Sequence, residues 1–432
     1  MCQYWHESII SAPENWTRTS TDRKNLVSLS LERAKAAPLE IHIDMHEIRE
    51  DLQFLDLLIP HAQNTKTLQV EGLLTANDLS YLPLRSTPNL RSLSLSGGKW
   101  DRSIDPFESL SAHAVGYLSL IGIPLYPSFL SLGTLTELII YDPRCNLHLD
   151  ILLDFLERNC LLTRADIRIR FIEPSLRSSR RRAAISNQLH YLRIACFDPM
   201  DGKALLSGIA LSKGAELEVD CCRGFGIVMG VDDILSGTST THLSNLRSPI
   251  FMEYRVHNTR VIQLLGPNGT STFIGESHLQ PLFVEFPRFT LTNIRRFHLN
   301  TRGWELIRPS PGPRVFHHLS SFPALETLTI GWETDLFRLL SPLLSNPSSS
   351  PSLETLAFLN CDLSEEFVEG LIRFASDRKD TTSARLHHVV IVHWEEKFPS
   401  IASIRNLEEH IPIVDVRVDT EIPKDLTGGD IW

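Results

Sequence analysis

Leu135-Thr136-Glu137-Leu138-Ile139-Ile140 is the stretch that decides how this chain folds. Its pattern is leucine, two residues, leucine, one residue, then a leucine or isoleucine. Leu90-Arg91-Ser92-Leu93-Ser94-Leu95 and Leu325-Glu326-Thr327-Leu328-Thr329-Ile330 repeat it closely. Looser copies are Leu162…Ala165…Ile167, Leu189…Leu192…Ile194, Ile294…Phe297…Leu299, Leu353…Leu356…Phe358 and Leu386…Val389…Ile391. In a strand, successive side chains point to opposite faces. Leu93 and Leu95 are then expected to point inward, with Ser92, Ser94 and Ser96 pointing out. One such strand cannot bury its apolar face alone, so the copies must stack on one another.

The interval between copies is steady. First positions at 135, 162 and 189 are 27 apart, and those at 294, 325, 353 and 386 are 31, 28 and 33 apart. This spacing resembles that of leucine-rich repeats, which run about 20 to 29 residues with one strand and a helix or turn each. The resemblance implies an α/β solenoid of about eleven repeats. Its sheet would be curved and mostly parallel, with helices and loops on the convex side. Such an architecture points to partner binding rather than catalysis.

Composition fits that expectation. Of 432 residues, 42% are hydrophobic and 22% charged, which is ordinary for a globular protein. The formal charge of −10 argues against a general nucleic-acid binder. No apolar run reaches the roughly 18 residues of a membrane span. The segment Met1-Cys2-Gln3-Tyr4-Trp5-His6 lacks a basic region followed by an apolar run, so no secretory signal is expected. The seven cysteines (Cys2, Cys145, Cys160, Cys196, Cys221, Cys222 and Cys361) have no paired spacing, which suggests reduced, mostly buried thiols. A cytoplasmic or nuclear location follows as an expectation. Asn15-Trp16-Thr17 and Asn268-Gly269-Thr270 match the glycosylation sequon and read as chance matches.

Residues 1–20 differ from the rest. Cys2, Trp5, Ile9 and Ile10 recur at helical spacing, Pro13 ends the helix, and Trp16 follows. This pattern resembles the last helix of an F-box. The segment from Asn25 to Ile41, in which a helix leads through Pro38 into a strand, is similar to the stretch after the F-box in fungal F-box and leucine-rich-repeat proteins. The resemblance implies an F-box-like remnant over 1–20 (Cys2, Trp5, Ile9, Pro13, Trp16) and a repeat solenoid over 21–432. It also implies a Skp adaptor as partner and recruitment of a protein substrate or peptide to a ubiquitin ligase. In that family other subunits transfer the ubiquitin, so no catalytic residue, cofactor or metal is expected here.

Between the repeats, residues 46–62 read as a helix with Ile48, Leu52, Leu55 and Leu58 on one stripe. Further helices are expected at 147–158, 201–211, 334–345, 363–376 and 397–410, with a last strand from Ile411 to Val418. The repeat register breaks over about 222–290. There Ile250–Tyr254, Arg260–Leu265 and Thr272–Ile274 read as short strands, and Gly266-Pro267-Asn268-Gly269 as a hairpin turn. Ser345–Ser352 reads as a flexible inter-repeat loop, and the tail from Pro423 to Trp432 as loose.

Few motifs suggest chemistry. His42 and His46 are four apart, but His42 falls in a strand pattern, so the pair is not expected to share a metal. The doublets His317-His318 and His387-His388 lack further ligands. Cys221-Cys222 read as thiols at a strand end. Gly266–Ser271 lacks the lysine of a phosphate loop. The arginines Arg164, Arg168, Arg170, Arg177, Arg180, Arg181 and Arg182 cluster in about 20 residues of an acidic chain. Three readings stand for them: a solvated edge, a patch for an acidic protein, and a nuclear-localisation or nucleic-acid patch.

Stacking in register would align the outward positions of three repeats: Glu137, Ile139 and Tyr141; Arg164, Asp166 and Arg168; Tyr191 and Arg193. Tyrosine and arginine are enriched at binding hot spots. Weaker columns are Arg296, His298 and Asn300, then His388. These residues are the candidate partner-binding face.

Overall fold

The computed structural model describes residues 10–48, 52–73, 84–97, 114–173, 183–184, 188–196, 199–211, 214–220, 251–256, 259–266, 269–276, 291–300, 322–332, 336–381, 385–393 and 401–418, with positions 75, 78, 82 and 249. The fold is α/β, with mostly parallel strands and helices between them. The chain divides into two compact units, Met1–Cys196 with Ser207–Ser212, and Phe197–Leu206 with Lys213–Trp432.

The first unit begins with a 3-10 turn over Pro13–Trp16, a strand β1 (Arg18–Ser20) and helix α1 (Lys24–Ala34). Proline suits the start of such a turn, where its missing N–H leaves no bond unmade. Then come β2 (Leu39–Asp44), a short helix α2 (Met45–Ile48), β3 (Thr65–Leu73), β4 (Ser92–Gly97), β5 (Tyr117–Ile121), β6 (Glu137–His148), helix α3 (Leu149–Arg158), β7 (Arg164–Glu173) and β9 (Tyr191–Cys196). These eight strands pair in parallel, each with its neighbour in chain order. A two-residue strand β8 (Ala183–Ala184) pairs separately with β10 (Ile209–Ala210). The register lines up Leu68, Leu93, Leu118, Leu138, Ala165 and Leu192 in one row and Val70, Leu95, Leu120, Ile140, Ile167 and Ile194 in another. Every residue of both rows is at most 1% exposed. Burying each large aliphatic contributes about 1.5–3 kcal/mol.

The helix expected over 46–62 is mostly a different structure. After α2 the chain forms two 3-10 segments, Leu52–Leu57 and Ile59–Asn64, with Pro60 near the start of the second. The N–H of Leu58 donates to Leu55 O and that of His61 to Leu58 O, both at 3.0 Å. Such turns rise about 2.0 Å per residue against 1.5 Å for an α-helix. They therefore cover the return to the next strand while still burying Leu55, Leu58 and Ala62.

Five of the repeat phrases are preceded by a turn that the phrase itself does not include. Leu90 N donates to Thr87 O, Leu135 to Leu132, Leu162 to Asn159, Leu325 to Phe322 and Leu353 to Ser350, at 3.1–3.2 Å. The second turn residue is Pro88, Gly133, Cys160, Pro323 or Pro351, and proline's fixed φ favours that position. The next residue donates to the equivalent carbonyl of the preceding repeat: Arg91 to Lys66, Thr136 to Gly116, Thr163 to Thr136, and Glu354 to Glu326. Strand exits also recur. Gly122, Trp332 and Asn360 have φ of +70°, +65° and +52°. Each donates its N–H to a carbonyl of the next strand, at Tyr141 O, Leu359 O and Val392 O.

Helix α4 (Pro199–Gly208) lies where the chain passes between units, somewhat earlier than the expected 201–211. The second unit contains β11 (Glu216–Asp220), β12 (Phe251–Val256), β13 (Thr259–Gly266), β14 (Gly269–Glu276), β15 (Arg296–Asn300), β16 (Thr327–Gly331), helix α5 (Leu336–Leu344), β17 (Thr355–Leu359), helix α6 (Glu365–Thr381), β18 (His388–His393), helix α7 (Ile401–His410) and β19 (Ile413–Val418). The irregular region is built into the sheet. β12, β13 and β14 form two antiparallel hairpins sharing β13, and Gly266 pairs with Gly269. β14 then pairs parallel with β11, and β12 parallel with β15. The meander thus enters the sheet in reverse chain order. From β15 to β19 the pairing is again sequential and parallel.

Ser345–Ser352 is anchored at Ser350, while Ser345, Asn346, Ser348 and Pro351 are exposed. Pro347–Ser349 is a 3-10 turn, and Ser350 is fully buried. Arg378 on α6, itself 0% exposed, donates to the carbonyls of Ser350 (2.9 Å), Pro351 (3.2 Å) and Leu353 (2.8 Å). Phe367 of α6 meets Phe358 of β17 edge-on at 5.3 Å. Cys361 is buried and donates to Ile330 O, whereas Cys160 is exposed. Among the described residues, no helix is long and apolar enough to cross a membrane.

Candidate partner-binding face

In the first unit the outward positions line up as the repeat pattern requires. Glu137, Arg164 and Tyr191 are register partners; so are Ile139, Asp166 and Arg193, and Tyr141, Arg168 and Ala195. Adjacent strands are about 4.8 Å apart, so the side chains of each set are neighbours. The inward residues between them (Leu138, Ala165, Leu192) are buried. The strand period alone therefore separates this face from the core.

Asp166 organises the centre. Its carboxylate is 13% exposed and accepts a two-pronged contact from Arg168, Nε to Oδ1 at 3.1 Å and Nη2 to Oδ2 at 2.9 Å. Arg193 Nη1 lies 4.0 Å from the same Oδ2. The planar guanidinium fork matches a carboxylate in geometry as well as charge. Arg164 stacks its guanidinium 4.8 Å from the Tyr191 ring centre, a cation–π arrangement.

The pattern extends to a strand whose outward residues the sequence reading did not single out. Tyr117, Ser119 and Ile121 of β5 pair with Glu137, Ile139 and Tyr141. Ile121 and Tyr141, each 37% exposed, form an apolar pair next to the arginines. Ser119 is buried and Tyr117 half-buried, so Ile121 carries the exposed side chain of this strand.

The other end of the face is acidic. Arg18, Ser20, Asp22, Glu40, His42, Thr67 and Gln69 line an open groove of about 330 Å³. Arg18 Nε donates to Glu40 Oε2 at 2.8 Å. Ser20 Oγ is 3.0 Å from His42 Nδ1, and His42 Nε2 is 3.4 Å from Glu71 Oε1. This resembles a nucleophile relay, but the proton bookkeeping differs. Ser20 Oγ also contacts Asp22 Oδ1, so Asp22 and His42 share a hydroxyl that has one proton to give. An activated serine needs the imidazole as acceptor. His42 lies on β2 and His46 on α2, as the sequence suggested.

The weaker columns behave differently. Arg296 is exposed and Asn300 half-buried, but His298 is 1% exposed. The outward face expected at His298 is interior. Its register partner Thr329 is also 1% exposed, and Ala357, Leu359, Val390 and Val392 of the same parity form a buried cluster. The cause is in the sequence: Leu356–Leu359 and Val389–Val392 are apolar at both parities, the signature of strands covered on both faces. His388 is half-buried.

Pro13 and Trp16 form the 3-10 turn before β1, and the Arg33 guanidinium of α1 stacks 4.5 Å from the Trp16 ring. Cys2, Trp5 and Ile9 lie outside the described residues. So do Arg177, Arg180, Arg181 and Arg182, Cys221-Cys222, His317-His318, Pro267-Asn268 and the tail after Val418. No protein-family model matches the chain, and no curated protein matches it.

Proposed function

We propose that this chain is a leucine-rich-repeat solenoid that recognises a protein partner on the outward face of its parallel strands. It would serve as the substrate-recognition subunit of a Skp–cullin–F-box ubiquitin ligase. One observation carries the reading. Three successive strands present tyrosine, arginine and carboxylate in register, while the alternate residues fill the core. A surface built this way can change its contacts without touching the fold. The chain would contribute no catalytic residue, cofactor or metal, and ubiquitin transfer would fall to other subunits.

A second reading is a stand-alone scaffold without an adaptor. The Trp16–Arg33 stack supports it, because it uses the end of the F-box-like segment to cover the first helix. Co-expression with a Skp adaptor separates the two. A stoichiometric complex lost on Trp5→Ala supports ligase recruitment. A folded chain that elutes alone supports the scaffold.

A further inference from the structure

We propose that the partner segment docking on β5–β9 is acidic and carries an apolar anchor. This rests on the partner-recognition reading above and adds the chemistry of the partner.

Charge is the first argument. Arg164, Arg168 and Arg193 stand against Glu137 and Asp166, so the patch is net positive in a chain of formal charge −10. Asp166 is enclosed by Arg168 and Arg193. Its charge therefore serves to hold two guanidiniums in place rather than to face a ligand. Preorganised donors lose less conformational entropy when a ligand carboxylate arrives. The second argument is the seat beside them. Ile121 and Tyr141 are paired across β5 and β6 and are more than a third exposed. An apolar side chain placed there would put its neighbouring carboxylates within reach of Arg164 and Arg168. The third argument is exclusion. Asp22, Glu40 and Glu71 at the β1–β3 end disfavour an acidic segment there, so the face itself selects one end.

The test uses the full chain and fluorescence anisotropy. The probe is a fluorescein-labelled peptide of alternating glutamate and leucine with a central phenylalanine, and its glutamine counterpart is the control. Saturable binding is expected for the glutamate peptide, weakening as salt rises from about 50 to 200 mM. Arg164→Glu with Arg193→Glu should weaken it about tenfold or more, and Tyr141→Ala several-fold. Arg405→Glu, an exposed charge in the second unit, should leave it unchanged. Should the double reversal fail to fold, Arg164→Gln with Arg193→Gln supplies the same comparison. The proposal is overturned by equal affinity for the glutamine peptide, by unchanged affinity in the arginine variants, or by no saturable binding. If a protein partner of the full chain is still captured by the charge-reversed variant, the acidic assignment fails while partner recognition stands.

Discussion

Replacing Arg378 with methionine tests what holds the repeat turns in place. The guanidinium is fully buried and reaches three carbonyls of the turn that starts β17. Ser350 O keeps a second donor, the Leu353 N–H at 3.2 Å. Methionine keeps most of the volume and removes every donor. Each buried carbonyl stripped of its donor costs about 1–3 kcal/mol. Leu353 O is one such carbonyl and costs about 1–3 kcal/mol, whereas Pro351 is exposed and its carbonyl can turn to water. Methionine also removes the desolvation cost of the buried guanidinium, which offsets part of this. A net loss of about 1–2 kcal/mol is expected, or on the order of 2–8 °C in Tm for a unit of this size. Alanine should lose about 2 kcal/mol more through the cavity it leaves. Lysine should fall between wild type and methionine, because one ammonium cannot span the fork's three acceptors. Urea denaturation gives the global value, and amide exchange at Leu353 gives the local one. A methionine variant within about 0.5 kcal/mol of wild type, with Leu353 protection intact, would refute the reasoning.

Other expectations follow from single positions. Gly122→Ala places a Cβ against the Gly97 carbonyl at φ +70°, so it should destabilise the first unit by more than about 1–2 kcal/mol in thermal unfolding. Burial lowers the His393 pKa below its ordinary value, with Asp362 acting in the opposite direction. The unfolded chain then takes up that proton first as pH falls. Stability should be level above about pH 6.5 and decline as pH drops toward the native pKa. His393→Gln should flatten that decline, and an NMR titration should place the native pKa below 6.5. Ile140→Ala should cost about 2–5 kcal/mol, whereas Ile139→Ala, on the outward side, should stay within about 1 kcal/mol in the same urea titration.

What the sequence revealed depended on how local each determinant was. The strand positions were legible because period-two alternation is set by each strand's own residues. The buried first leucines, Leu90 through Leu386, follow from the same phrase. The turn before five of the phrases was also written in the chain, as Thr87-Pro88-Asn89-Leu90 or Phe322-Pro323-Ala324-Leu325. The segment 46–62 misled because Leu55 and Leu58 suit a helix stripe and a 3-10 turn alike, while Pro60 favoured the turn. The order of β12–β14 was out of reach, since pairing β14 with β11 depends on a distant strand. The one-sided alternation of Leu93 and Leu95 does not extend to His298, because the strands that follow β15 are apolar at both parities. At the candidate site, the register of Arg164, Asp166 and Arg193 was readable from the spacing. The fork between Arg168 and Asp166 required the coordinates.

The contrast between strands buried on one side and strands buried on both has a consequence for how this protein can vary. At Ile139, Arg164 or Tyr191, a change of side chain alters what the surface offers and leaves the interior alone. At His298, Ala357 or Val390, the same kind of change must satisfy packing on a second side. Change of the exposed surface is therefore open to the first unit residue by residue. Over β15 to β18 of the second unit, the exposed strand position among the described residues is Arg296, at a strand start.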